Sequence, residues 1–164
     1  MKRRQVILAL GSVSLLPLLA RPLLAAGGNP SGGLEKLNLS EAEWRKRLTA
    51  AQFHILREEG TEHAGTSPLL AEKRRGTYHC VACDHPLFSS ETKYDSGTGW
   101  PSFYDHLPHA IETRRDFKLI WPRTEYHCAR CGGHHGHVFN DGPEPTGLRY
   151  CNNGVALKFV PEAS

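Results

Sequence analysis

Short helices leading into a β-rich body, an α+β class in which strands dominate, is the fold this sequence predicts. Three observations carry the prediction. A complete helix start stands at Leu39-Ser40-Glu41-Ala42-Glu43-Trp44. From Gly76 onward the chain breaks into short runs containing Tyr, Phe, Val, Ile and Trp, the residues that favour strands. Asp95-Ser96-Gly97, Asn140-Asp141-Gly142-Pro143 and Pro145-Thr146-Gly147 punctuate those runs as turns. With 164 residues, 39% apolar and 23% charged, the chain suits one compact domain and is too rich in apolar residues for wholesale disorder.

In chain order, residues 1–26 have the layout of a secretory signal. Lys2-Arg3-Arg4 is its positive end, Val6 to Ala20 its apolar stretch, and Ala25-Ala26-Gly27 offers small residues for cleavage. Pro17, Arg21 and Pro22 cut the stretch short of a membrane span, which weighs against a retained anchor. Arg3-Arg4-Gln5-Val6-Ile7 also fits a twin-arginine signal, the route that exports folded proteins. The expectation is a periplasmic or secreted protein with no stable membrane association after cleavage. Four of the 20 basic residues and none of the 17 acidic ones lie in this leader, leaving 16 basic against 17 acidic beyond it. The net charge of +3 therefore belongs to the leader, and nucleic acid is not an expected partner.

Residues 27–39 read as a linker, with the Gly-rich Gly27–Gly33 at its start. Ser40 caps the first helix, Glu43 reaches back as the capping-box acid, and Leu39 staples onto Trp44. Trp44, Leu48 and Ala51 are expected on one face. A second short helix takes in Phe53, Ile55 and Leu56 and ends near Gly60. The last run, Leu148 to Val160, is one or two strands near Asn153-Gly154.

Five cysteines occur. Cys80, Cys83, Cys128 and Cys131 form two Cys-x-x-Cys pairs, each in a repeated phrase, Tyr78-His79-Cys80 and Tyr126-His127-Cys128. Two knuckles of this spacing aim four thiolates at one ion in a closed tetrahedral shell, so one structural zinc is the expected cofactor. Two disulfides are the rival reading in an exported protein. Cys151 is left over, in Arg149-Tyr150-Cys151-Asn152-Asn153. Strand alternation puts Arg149, Cys151 and Asn153 on one face, where the guanidinium favours the nucleophilic thiolate. Asn153 can bond a substrate or fix main chain. His134-His135-Gly136-His137 follows the second knuckle; its histidines are candidate proton donors or, alternatively, extra metal ligands. Trp100, in Gly97-Thr98-Gly99-Trp100-Pro101-Ser102-Phe103, is either a pocket wall or an ordinary core residue.

Taken together, these phrases resemble the methionine-R-sulfoxide reductase B family. The match runs through Lys93–Phe103, Arg123-Thr124-Glu125, His134–Phe139 and Gly147–Asn153, in the family's order and with its two zinc knuckles, within a domain of residues 40–162. The resemblance implies two small antiparallel sheets with short N-terminal helices, and a nucleophile at Cys151. It implies pocket residues at Trp100, His134, His137, Arg149 and Asn153. The implied activity is reduction of the R epimer of methionine sulfoxide, free or protein-bound, through a Cys151 sulfenic acid, with His134 or His137 supplying a proton and Trp100 receiving the methyl group. That activity is one of protein repair under oxidative stress. Two departures stand out. Thr98 occupies a position where many relatives carry a resolving cysteine, so an external thiol or thioredoxin-like reductant is the expected partner. The segment Glu62-His63-Ala64-Gly65-Thr66 lacks the proline common in that loop, and its role is open. The rival functions are a zinc-ribbon binding module without catalysis, which needs a basic stripe, and a zinc hydrolase, which needs an open metal position.

Overall fold

The computed structural model describes residues 34–118 and 121–163. The expected signal and most of the linker lie outside the described residues. Among these, no helix is long and apolar enough to cross a membrane.

Helix α1 (Glu41–Arg47) begins as its sequence predicts: the Ser40 side chain accepts the Glu43 amide, and Glu43 Oε2 accepts the Ser40 amide at 2.9 Å. It ends sooner than expected. Thr49 and Gln52 form a second capping box that starts α2 (Ala50–Glu58), and this forces Leu48 into an extended conformation between the helices. Trp44 and Leu48 are buried as expected, whereas Ala51 is exposed in the first turn of α2. Phe53, Ile55 and Leu56 are the buried face of α2, and Glu59, in a left-handed conformation, closes it one residue before Gly60.

Among the described residues nine strands follow: β1 (Gly76–Cys80), β2 (Pro86–Ser89), β3 (Lys93–Tyr94), β4 (Ser102–Phe103), β5 (Ile111–Asp116), β6 (Arg123–Cys128), β7 (His134–Phe139), β8 (Arg149–Asn152) and β9 (Leu157–Pro161). They form two antiparallel sheets, one of order β2-β1-β9 and one of order β3-β4-β8-β7-β6-β5. The final run is indeed two strands, parted by a single 3-10 turn at Gly154–Ala156. It leaves one sheet as β8 and enters the other as β9, so this break ties the sheets together.

The core between the sheets is aromatic. Phe88 stacks on Phe103 at 4.4 Å, Tyr78 meets Phe103 edge-on at 4.9 Å, and Tyr150 meets Tyr126 edge-on at 5.6 Å. Each such pair contributes about 0.5–1.5 kcal/mol beyond its buried area. Ile55 and Leu56 of α2 extend this core, and α2 packs on β7.

Candidate active site

The repeated cysteine phrases fold as repeated knuckles. Cys80 ends β1 and Cys128 ends β6; in each knuckle the residue four places on, Asp84 or Gly132, turns through positive φ and donates its amide back to the first cysteine's carbonyl at 2.8 Å. All four sulfurs are buried and lie within 4.8 Å of one another, with Cys80–Cys131 at 3.7 Å and Cys83–Cys128 at 3.5 Å. Four sulfurs at about 2.3 Å from one zinc stand roughly 3.8 Å apart, so the donor set and its spacing fit that ion. The disulfide reading is overturned: all four cysteines are free. Among the described residues no histidine joins the cluster, which removes the reading of His134 or His137 as a ligand. Arg57 sets its cation against the cluster, 3.4 Å from Cys131 Sγ and 3.1 Å from its carbonyl oxygen, while lying over the Trp44 ring. The zinc site joins β1 of one sheet to β6 of the other, and its closed shell makes it structural.

The second site is a row across the larger sheet. Tyr94 pairs with Ser102, Ser102 with Cys151, Cys151 with His137, His137 with Glu125, and Glu125 with Arg114. Directly opposed residues share a face, so six strands contribute one continuous polar line with Cys151 near its middle. A cavity of about 130 Å³ opens beside it, walled by Trp100, Arg123, His137, Phe139, Cys151 and Asn153. Trp100 is therefore a pocket wall and only half-buried, not a core residue.

The two histidines are not equivalent. His137 lines the cavity and its Nε2 lies 2.7 Å from Asp116 Oδ2. Burial pulls its pKa below the ordinary imidazole value, against the opposing effect of its hydrogen bond to Asp116. Asp116 is held well below the usual carboxylate range by the Lys118 amide and, against burial, by His137 and Arg123. At neutral pH the pair is thus a neutral ring donating Nε2–H to a carboxylate. His134 is 3% exposed, with Nδ1 2.6 Å from Glu125 Oε1; it stands edge-on to His137 at 5.5 Å and does not line the cavity. Burial raises the Glu125 pKa, but hydrogen bonds from His134 and Arg114 outweigh it and keep the net shift downward.

Arg149 does not reach the cavity. Its guanidinium grips Asp141 through two hydrogen bonds of 2.8 Å and lies 4.3 Å over the Phe139 ring. It still favours the Cys151 thiolate, as its spacing suggests, together with a hydrogen bond from Thr98. Burial outweighs both, and the thiol is pushed up. β8 ends at Asn152, so Asn153 is not on the strand. Both ends of its amide serve main chain: Oδ1 accepts the Glu62 amide and Nδ2 donates to the His135 carbonyl, each at 2.9 Å.

Sequence reasoning missed Glu62, Glu125, Asp116 and Arg123. Glu62 is the clasp of the site: its carboxylate accepts the amides of Gly154 at 2.5 Å and Val155 at 3.0 Å, and its carbonyl accepts Trp100 Nε1–H at 3.1 Å. With the Gly65 amide donated to the Gly99 carbonyl at 2.7 Å, the Glu62–Thr66 segment straps the Trp100 loop to the turn after Cys151.

Residues 48–161 match the family described as the SelR domain. The chain belongs to the SelR domain family. Three relatives are matched along most of their own length. The peptide methionine sulfoxide reductase MsrB of Agrobacterium fabrum is 54% identical over 77% of this chain and 94% of its own. That of Leptospira interrogans is 52% identical over 77% of this chain and 98% of its own. The mitochondrial methionine-R-sulfoxide reductase B2 of Rattus norvegicus is 50% identical over 87% of each chain. Among solved structures, the Mis18 "Yippee-like" domain overlaps 56% of this chain at 16% identity and a TM-score of 0.44, a likeness that fixes neither fold nor function.

Proposed function

We infer that this SelR-family chain is a methionine-R-sulfoxide reductase that works through Cys151. The observation that carries the reading is the pairing of Cys151 with His137 across β8 and β7, on the wall of a cavity that Trp100 also lines. At about 130 Å³ the cavity falls below the roughly 300–1,000 Å³ of pockets that enclose whole small molecules, and so suits the end of one side chain. Trp100 offers an apolar face to the methyl group. Cys151 sulfur attacks the sulfoxide sulfur and forms an S–S bond; the protonated sulfoxide oxygen then passes to the cysteine sulfur, so that a Cys151 S–O bond forms as the substrate S–O bond and the transient S–S bond break. The products are the thioether and a Cys151 sulfenic acid: the cysteine sulfur loses two electrons and the substrate sulfur gains two. Because burial holds the thiol protonated, the step needs a base, and neutral His137 is the ring in place. It takes the thiol proton, is backed as imidazolium by Asp116, and delivers the proton to the departing oxygen. His134, anchored by Glu125, fixes the His137 edge. Arg149 acts on the charge of Cys151, and Asn153 on the main chain that carries it. The zinc, when bound, contributes folding energy and no chemistry.

The chain's other four cysteines are the metal ligands, so the sulfenic acid has no internal thiol partner. An external thiol or a thioredoxin-like dithiol reduces it and releases water. We further propose that residues 1–26 export the enzyme to the periplasm or beyond, where it repairs oxidised proteins. N-terminal sequencing of the fractionated protein tests this, and an intact residue 1 on cytoplasmic material refutes it. The activity itself is tested with separated epimers and dithiothreitol: the R epimer is reduced, the S epimer is not, and Cys151→Ser abolishes turnover. Turnover of the S epimer, or an active Cys151→Ser, overturns the assignment.

A further inference from the structure

Helix α2 closes on Glu59, in a left-handed conformation with φ of 55°. Its carboxylate takes two cations from β5 and the residues just past it: Oε1 accepts from Arg114 Nη2, and Oε2 pairs with Lys118 Nζ. β5 is an edge strand of the larger sheet, with β6 on one side only. The ladder therefore holds it from one side, and Glu59 ties it from outside the sheet.

Arg114 makes a second contact, inward. Its Nε donates to Oε2 of Glu125, the residue directly opposite on β6. The other oxygen of that carboxylate, Oε1, is the one that His134 Nδ1 meets at 2.6 Å. One guanidinium thus bridges a half-buried carboxylate on α2 and a buried one that holds His134, whose ring stands edge-on to His137 at 5.5 Å. Among the described residues Arg114 is the one lysine or arginine paired with Glu125. Arg114 itself does not line the Cys151 cavity.

A buried carboxylate that loses its cation either takes up a proton or draws one onto its remaining partner. Either outcome changes what His134 shares with Glu125. The same tie reaches the other histidine's partner, because the Lys118 amide donates to Asp116 Oδ1 at 2.8 Å. The carboxylates behind both histidines therefore sit on a hairpin that Glu59 fastens to α2.

We propose that Arg114, seated by Glu59, is a positioning residue for the Cys151 chemistry: it holds the Glu125 carboxylate so that His134 keeps His137 aligned with the sulfur. The proposal rests on the reading of Cys151 and His137 as the reacting pair, yet its first test needs no sulfoxide.

The full chain with its metal is compared as wild type, Arg114→Met, Arg114→Lys, Glu59→Gln and Arg115→Met. Zinc content and circular dichroism report folding. Arg114→Met keeps the length of the stem and removes the charge; Arg115 lies one residue on, on the opposite face of the strand, and serves as the control. In protein with nitrogen-15-labelled histidine, the proton held between His134 Nδ1 and Glu125 gives a downfield resonance, assigned by its loss in His134→Gln. That signal persists in wild type, Arg114→Lys and Arg115→Met, and moves or vanishes in Arg114→Met. With methionine-R-sulfoxide and dithiothreitol, kcat of Arg114→Met falls about tenfold, within the loss that misplacing a catalytic group brings. Its KM stays within about twofold, because the group lost does not bind substrate. Arg114→Lys recovers most of kcat, Glu59→Gln loses part of it, and Arg115→Met keeps all of it.

A folded, metal-loaded Arg114→Met with an unmoved His134 signal or a wild-type kcat overturns the proposal. So does an Arg114→Lys that loses as much as Arg114→Met, or an Arg115→Met that does. A wild type that yields no methionine refutes the reductase reading, and the His134 signal then decides whether Arg114 positions that ring.

Discussion

A methyl group on Gly136 would sit 1.8 Å from the Cys151 carbonyl oxygen. Gly136 lies on β7 opposite Asn152, so the absence of a side chain there is what allows β7 to approach β8 closely enough for His137 to face Cys151. Gly136→Ala must push the strands apart. The expected cost is about 1–3 kcal/mol of stability, as in other overpacked interiors, with a larger proportional loss of activity because the His137–Cys151 pairing is displaced. Urea midpoints and single-turnover methionine yield measure the two effects. An alanine variant with wild-type turnover would show that the close approach is unimportant for the chemistry.

The metal site makes a sharper stability prediction. Structural zinc binding contributes about 10–16 kcal/mol in small sites, which matches or exceeds the whole stability of an ordinary domain, about 5–15 kcal/mol. Cys128→Ser should therefore purify without zinc and lose its cooperative thermal transition. Removal of zinc by a chelator should do the same to the wild type. Elemental analysis and calorimetry check this; a metal-free wild type with two mapped disulfides would refute it.

Asp116 and His137 predict a dependence on pH. His137 is depressed in the fold, so the stability that goes with its neutral ring is complete above about pH 6.5 and is lost as pH falls through its folded value. Asp116 is depressed too, so its contribution is present above about pH 4 and is lost below that. Asp116→Asn keeps an acceptor for His137 Nε2–H but removes the charge that backs the imidazolium. Turnover should fall by about 10- to 100-fold, part of what a proton-transfer group supplies, and the acid limb of the activity profile should move to lower pH. An unmoved limb would take Asp116 out of the proton path.

Regeneration can be rerouted. With reductant withheld, the wild type should release one methionine per chain and show no intramolecular disulfide by mass spectrometry. Thr98→Cys places a second thiol on the turn that leads to Trp100, a wall of the Cys151 cavity, and the oxidised variant should yield a Cys151 disulfide and resist overoxidation. A wild-type disulfide between Cys151 and a knuckle cysteine, with zinc released in step, would make the metal site part of the redox cycle.

By itself the sequence determined what local spacing encodes. The Ser40–Glu43 capping box, the onset of strands at Gly76 and the break after Cys151 all lie within a few residues of the groups they organise. The paired cysteine knuckles were legible for the same reason, since Cys-x-x-Cys is a constraint on one turn of chain. Only the tertiary structure decided which polar groups meet. Asp116 lies 21 residues before His137, and Glu62 lies 91 residues before the Asn153 it holds. The division of labour between His134 and His137 comes from which carboxylate each reaches, Glu125 or Asp116. Arg149 stands on β8 as alternation suggests, whereas Asn153 lies just beyond the strand's end, and each is engaged by a partner outside β8, Asp141 for one and the Glu62 amide for the other. Such contacts leave no period or spacing along the chain. They follow from strand register and sheet order, which bring residues from six strands into one row around Cys151, and from the burial that register imposes on its thiol.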